Sequence, residues 1–175
     1  MIDFSQNYFA LFGLPQRYGF DPEQLDAAYR ALQRVVHPDR YAAAGDAERR
    51  VALQSSARVN EAYRALKDPV GRAQYLLSLR GIDALAETNT ALPAEILEHE
   101  LERREAVGDA QAARDADRLA ALLREVRSDA VALETTLAER LDSDAWENAR
   151  DAVRELRFLT KVAGDIEAAI GEVES

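Results

Sequence analysis

The sequence contains no cysteine, only two histidines and no long uninterrupted run of apolar residues. The lack of cysteine excludes disulfide bonds, thiolate nucleophiles and cysteine-ligated zinc or iron–sulfur sites within this chain. Without an apolar run of about 20 residues we expect no transmembrane helix, and residues 1–4 lack the basic and apolar regions of a signal peptide. These absences favour a cytoplasmic protein that does not bind a membrane.

Basic residues are outnumbered as well, with 22 Lys and Arg against 32 Asp and Glu and a net charge of −10. Residues 1–80 hold 11 basic and 9 acidic residues, whereas residues 81–175 hold 11 basic and 23 acidic residues. This asymmetry indicates two modules with different partners. The acidic half argues against nucleic acid, which requires a basic surface.

Helical periodicity dominates the first module, and no alternating strand pattern occurs anywhere in the chain. Asp21 followed by Pro22 predicts a helix start, because aspartate caps helices and proline suits the first helical position. Asp68 followed by Pro69 repeats this signal. Apolar residues recur at helical spacing after each start and again over residues 51–66. We therefore predict an all-α fold.

A polar loop, His37-Pro38-Asp39-Arg40, separates two of these helices. Pro38 lacks a backbone N–H and disfavours the α conformation at the residue before it, so the preceding helix is expected to end near His37. Asp39 can stabilise a turn through its own side chain. Exposed loops held by rigid elements are common positions for binding residues.

The second module is predicted to be a three-helix bundle. Residues 82–92 lack periodicity and are interpreted as a linker. Pro93 is expected to open the first helix, and Gly108 to end or bend it. A long helix follows with leucines spaced by threes and fours over residues 119–141, and Asp144 is expected to cap the last helix. The predicted domains are therefore 1–81, the linker 82–92 and the bundle 93–175.

Two features of the bundle suggest a partner surface. Apolar residues Ile96, Leu97 and Leu101 alternate with carboxylates, including Glu102 and Glu105, and such a strip suits a partner with a small apolar patch and a basic rim. An ordinary buried bundle face is an equally good interpretation of the same residues.

Phe158 is the second feature. It follows the inward-facing Leu156 by two positions, so it should point away from the core and could anchor a partner. Packing of Phe158 between the modules is the alternative.

The first module resembles a J domain over residues 5–70. The matching residues are Tyr29–Arg34 ahead of His37-Pro38-Asp39-Arg40, and Val59–Pro69 after it. Along nearly its whole length the chain is similar to the HscB family of co-chaperones, through residues 72–77, 98–105 and 156–161. Glu98 and Arg103 interrupt the apolar face that this family has on its first bundle helix. The resemblance implies a J domain and a C-terminal bundle arranged in an L.

The resemblance also implies partners. The J domain would stimulate ATP hydrolysis by a DnaK-type chaperone, HscA, and the bundle would bind the iron–sulfur scaffold IscU and deliver it. On this view the chaperone contacts are His37, Pro38, Asp39, Arg40, Arg30 and Arg34, with the arginines meeting an acidic surface. The scaffold contacts are Ile96, Leu97, Leu101, Glu102, Glu105 and Phe158.

Other functions remain open at this point. No nucleophile–base pair, metal-ligand cluster or glycine-rich phosphate loop is evident, so we expect no enzyme activity, cofactor or metal. A J protein for another client and a helical adaptor with an incidental His-Pro-Asp are the alternatives. Arg30 and Arg34 could then form an ordinary solvated face. A metal or cluster carrier is disfavoured because cysteine is absent and histidine is scarce.

Overall fold

The computed structural model of the chain describes residues 3–41, 44–86 and 94–174. Over these residues every regular element is helical, which confirms the all-α prediction. The chain divides into two units, Met1–Leu79 and Arg80–Ser175. The predicted start of a helix at Pro93 and most of the predicted linker lie outside the described residues.

The described part of the first unit contains four α-helices: α1 (Tyr8–Leu11), α2 (Pro22–Val36), α3 (Asp46–Lys67) and α4 (Pro69–Ser78). A short 3₁₀ helix, Pro38–Tyr41, follows α2. The core is built from side chains that are almost completely buried, among them Phe9, Leu25, Val59, Leu66 and Leu77.

The capping predictions of this unit are confirmed. The Asp21 side chain accepts a hydrogen bond from the backbone N–H of Glu23 at 2.9 Å, and Asp68 accepts one from Gly71 at 2.6 Å. A Cβ atom at Gly71 would lie 3.0 Å from the Ala65 carbonyl oxygen. Glycine therefore permits the tight approach of α4 to the end of α3.

The second unit contains α5 (Ala94–Ala112), α6 (Ala116–Asp142) and α7 (Trp146–Glu174). Helices α6 and α7 are joined by a three-residue turn and pack along each other around Leu119, Val126 and Ile166, which are fully buried. The segment before α5 also contributes, because the buried Arg154 side chain on α7 donates from Nε to the Ala84 carbonyl oxygen at 2.8 Å.

Two predicted boundaries of this unit are wrong. Helix α5 continues through Gly108 to Ala112, since a single glycine costs only about 1 kcal/mol in a helix and packing of the later turns outweighs it. Asp144 does not cap α7; it has a positive φ of 59° and lies in the tight turn before Trp146. Aspartate tolerates this left-handed conformation better than most residues.

Candidate functional site

The loop after α2 has a defined geometry. Helix α2 ends at Val36, and the His37 backbone N–H still donates to the Gln33 carbonyl oxygen at 3.0 Å. His37 then turns to φ −58° and ψ 127°, the extended conformation favoured before a proline. The predicted end of this helix near His37 is therefore confirmed.

The His37 side chain organises the turn. Its Nδ1 accepts the backbone N–H of Asp39 at 3.3 Å and lies 3.5 Å from the Asp39 carboxylate. The side chain of Asp39 is 89% exposed and that of His37 is 53% exposed. The carboxylate is thus held by a local turn while remaining open to an external donor.

Arginines surround this turn. The Arg40 guanidinium donates from Nη1 to the Arg34 carbonyl oxygen at 2.8 Å, which places a cation at the C-terminal end of α2. Arg30 and Arg34 lie four residues apart and are both exposed. Among the described residues neither has an ion-pair partner, so their charge is available at the surface next to the loop.

A polar cluster between α2 and α3 supports this surface. The Tyr29 and Tyr63 rings stack with centroids 3.9 Å apart, and Asn60 Oδ1 accepts from the Tyr29 hydroxyl at 2.9 Å and from Gln33 Nε2 at 2.5 Å. Both tyrosines are half-buried. Their partly exposed stacking was missed, although both tyrosines lie on facing helices beside polar residues.

An ion pair extends the cluster toward the other end of α2. Lys67 Nζ lies 3.2 Å from the Asp26 carboxylate. The hydrogen bond from the Tyr63 hydroxyl, together with the Lys67 ammonium, lowers the pKa of Asp26 below its ordinary value. The carboxylate therefore stays ionised and links α2 to α3.

Helix α5 carries the second predicted site on its outer side. The side chains of Leu97 and Leu101 are 46% and 62% exposed, and Glu102 and Glu105 are exposed beside them. We call these four residues the leucine–glutamate strip. Because positions 97, 101 and 105 are spaced by four, they form one column along the helix. Ile96 is half-buried and lies at the edge of this surface.

Phe158 differs from the sequence expectation. It is half-buried and packs against the α5–α6–α7 core, and the Arg104 guanidinium lies 4.8 Å from the centre of its ring. The expectation of an exposed phenylalanine was wrong because α5 packs beside α6 and widens the apolar face of α7 to include Phe158. A face of this ring is covered by Arg104 in a cation–π contact.

The described residues contain no group of three or more His, Asp or Glu side chains that could hold a metal ion. No helix among them is both long and apolar enough to cross a membrane. The described residues thus present two candidate binding surfaces, a cationic loop surface in the first unit and an apolar and acidic strip in the second.

Comparison with known proteins identifies both units. The DnaJ domain family matches residues 7–75, and the family described as HSCB C-terminal oligomerisation domain matches residues 92–167. The first unit has a His-Pro-Asp loop between two packed helices, and it matches the DnaJ domain family. Together these two findings define a J-domain protein.

Full-length relatives give the family. The chain is 49% identical to the co-chaperone protein HscB homolog of Burkholderia multivorans over 100% of both chains. The chaperone HscB from Vibrio cholerae is 34% identical, with a TM-score of 0.87 over 96% of this chain and 99% of that one. The human co-chaperone HscB, at 24% identity, shares the fold, with a TM-score of 0.89 over 95% of this chain and 83% of that one. The chain belongs to the HscB family of co-chaperones.

Proposed function

We propose that this co-chaperone stimulates ATP hydrolysis by a DnaK-type chaperone of the HscA class and delivers an IscU-type iron–sulfur scaffold to it. The observation that carries the proposal is the His37-Pro38-Asp39 loop, which presents an exposed carboxylate in a fixed turn beside exposed arginines. The family membership supports this function, and it fits a regulator of a partner's ATPase that is not itself an enzyme.

The loop surface acts by binding in two stages. Arg30 and Arg34 attract an acidic surface of the chaperone and increase the rate of productive encounter. The Asp39 carboxylate then accepts charge-assisted hydrogen bonds, for which an arginine of the chaperone is the best geometric donor. Stimulation requires that the loop binds the hydrolysis-competent conformation of the chaperone more tightly than the other conformation, so that the population shifts toward it.

The leucine–glutamate strip binds the scaffold. Leu97 and Leu101 bury their exposed apolar surface against a small apolar patch of the scaffold, while Glu102 and Glu105 pair with basic side chains at its rim. Phe158 on α7 contributes mainly through its contact with Arg104 of α5, which helps to hold α5 in place. The domain roles are thus a chaperone-binding J domain at 1–81, a linker at 82–92 and a client-binding bundle at 93–175.

Steady-state ATP hydrolysis by an HscA-class chaperone tests this function. The chaperone is assayed with the protein, with its His37→Gln variant and with an added IscU-type scaffold. We expect stimulation by the protein, a further synergistic increase with the scaffold, and no stimulation by the variant. Stimulation without scaffold synergy would mean that the client is wrong. No stimulation at all would favour a helical adaptor without a chaperone role.

A further inference from the structure

Helix α5 is attached to its bundle by a mixed stripe of residues. Its inner positions, spaced by three and four, are Ile96, Glu100, Arg103, Val107 and Ala110. Two of these five are charged, and they lie in the N-terminal half of the helix. In the C-terminal half, Val107 and Ala110 form an apolar inner face, whereas Gly108 and Gln111 face outward. The hydrophobic pattern alone therefore favours the observed orientation of this half.

The N-terminal half presents the opposite pattern. Leu97 and Leu101 follow Ile96 and Glu100 by one position each, which is a rotation of about 100° around the helix axis. Turning this half by that angle would replace the buried Glu100 by Leu101 and would otherwise exchange like for like, Ile96 for Leu97 and Arg103 for Arg104. The hydrophobic effect and the cost of burying charge both favour this alternative orientation. A specific interaction must therefore hold the leucines outside.

The buried charges supply that interaction. The Arg103 side chain is only 9% exposed and forms ion pairs with Glu100 on its own helix, at 3.3 Å, and with Asp129 on α6. We call Glu100, Arg103 and Asp129 the ion network. The Asp129 pair joins two helices, and Arg103 makes it from the inner face of α5.

The ion network is not arranged for stability alone. Glu100 is 4% exposed, and its Oε2 atom has no hydrogen-bond partner among the described residues. Burial raises the pKa of Glu100 above its ordinary value, in spite of the Arg103 charge beside it. Buried ion pairs are generally poor sources of stability, and their best-attested use is to specify one packing arrangement over another.

We propose that Arg103, through its pair with Asp129, is a positioning residue that selects the orientation of α5 in which Leu97 and Leu101 face outward. The network thereby keeps the leucine–glutamate strip available to a partner. The benefit of the ion network for partner binding rests on the scaffold-binding function proposed above. The orientation of α5 itself can be tested without any partner.

The absence of cysteine makes this test direct. Single cysteines are introduced by Leu101→Cys at the outer face and by Ile96→Cys at the inner face of the full chain, and their reaction with a soluble aromatic disulfide is timed. Asp129→Ala is then added to each, because it removes the partner of Arg103 on α6 and Asp129 lies outside the leucine–glutamate strip.

We expect Asp129→Ala to slow the reaction of the Leu101→Cys thiol and to accelerate that of the Ile96→Cys thiol, each by at least about threefold, because a rotation moves the two faces in opposite directions. Asp129→Glu, which keeps the carboxylate, should restore both rates. The matched control is Glu167→Ala, which breaks an exposed ion pair between α6 and α7, Arg127 to Glu167 at 2.5 Å, and should change neither rate.

Two results would overturn the proposal. Unchanged rates would show that α5 keeps its orientation without the network, and faster reaction at both positions would show that the network only prevents fraying of the helix. Circular dichroism and the fluorescence of Trp146 verify that the bundle is folded. If Asp129→Ala does not fold, the same two rates are measured in Asp129→Asn, which keeps the size of the side chain, and they decide the question in the same way.

A second measurement connects orientation to function. We expect Asp129→Ala to weaken binding of an IscU-type scaffold in titration calorimetry by at least about threefold, with Asp129→Glu restoring the affinity. ATPase stimulation without scaffold should stay unchanged, because the loop lies in the other unit. If the thiol rates shift as expected but scaffold affinity does not, the proposed client is wrong while the positioning role stands.

Discussion

At the scale of single residues, the exposed carboxylate of Asp39 is the group on which the proposed activation of a chaperone depends. Among the described residues, its contacts are local ones with His37. Because it is 89% exposed, its charge can be removed without disturbing the core. A substitution that removes the charge of Asp39 should therefore impair chaperone activation without changing the stability of the fold.

We expect Asp39→Asn to reduce ATPase stimulation by at least about tenfold, since the charge-assisted hydrogen bonds to the chaperone are lost. The free energy of unfolding should change by less than about 0.5 kcal/mol, as is usual for surface substitutions. Asp46→Asn is the matched control, because Asp46 is equally exposed at the start of α3. Loss of helical circular dichroism in Asp39→Asn would contradict this account.

Leu97 and Leu101 allow a similar separation in the second unit. We expect the double variant Leu97→Ala and Leu101→Ala to weaken scaffold binding by at least about tenfold, because it removes two apolar contacts from the centre of the strip. Stability should change little, since both side chains are largely exposed. Titration calorimetry measures the affinity. Val131→Ala, at an exposed apolar residue of α6, is the control; an equal loss of affinity in that variant would contradict a local site.

At the scale of helices, the orientation of α2 depends on the polar cluster centred on Asn60. Its side-chain oxygen accepts hydrogen bonds from Tyr29 and Gln33, both on α2. Arg30 and Arg34 lie on the same helix, next to the residues that the cluster holds against α3.

We expect Asn60→Ala to lower the free energy of unfolding of the first unit by about 1–2 kcal/mol, because two donors lose their acceptor in a partly buried position. Urea unfolding followed by near-ultraviolet circular dichroism measures this change through the tyrosines, all six of which lie between residues 8 and 75. No change in the unfolding midpoint would show that water replaces Asn60 at no cost.

The bundle contains a carboxyl group whose ionisation is unfavourable. Burial raises the pKa of Glu155 on α7; the Arg140 and Arg103 charges oppose this shift, and Asp129 adds to it. A carboxyl group with a higher pKa in the folded chain binds its proton more tightly there. Its ionisation therefore reduces stability above that pKa, and the reduction disappears as the pH falls.

We expect Glu155→Gln to raise the stability of the bundle at pH 7 and to make no difference near about pH 4, where Glu155 itself becomes protonated. Urea titrations followed by Trp146 fluorescence at the two pH values measure the effect. Glu139→Gln, at an exposed position of α6, should be neutral at both. A lower stability of Glu155→Gln at pH 7 would mean that the charge is stabilising.

The helices show what the sequence could predict. Asp21 and Asp68 gave correct helix starts because capping is a local interaction between a side chain and the next backbone N–H groups. The end of α2 was correct because proline acts on the residue before it. Gly108 was assigned wrongly because the packing of α5 depends on contacts distant in sequence. Asp144 was assigned wrongly because it lies in a left-handed turn after α6, closed by the Ala145 N–H to the Arg140 carbonyl oxygen at 2.9 Å, and does not cap α7.

The candidate sites likewise contain some features that could be predicted from the sequence and some that could not. The loop was placed correctly because it lies between two strongly periodic helices. The burial of Glu100 and Arg103 could not be predicted, because their partner Asp129 lies on another helix and hydrophobic pattern alone would turn the leucines inward. The coverage of Phe158 by Arg104 likewise depends on how α5 lies against α7.

At the scale of the whole molecule, two units with separate surfaces occur in one chain. The chain provides a separate probe for each unit, because its single tryptophan, Trp146, lies in the second unit and every tyrosine lies in the first. The charge asymmetry found in the sequence follows the same division. In the proposed function, the covalent connection of a chaperone-binding and a client-binding unit would raise the local concentration of the client at the chaperone.

The most direct test of this account is the scaffold concentration that gives half-maximal ATPase activity of an HscA-class chaperone, with and without the co-chaperone. If one chain couples activation to delivery, the intact protein should lower this concentration by at least about tenfold. The variant with Leu97→Ala and Leu101→Ala should activate the ATPase but leave the concentration unchanged. An unchanged concentration with the intact protein would contradict the coupling of the two surfaces.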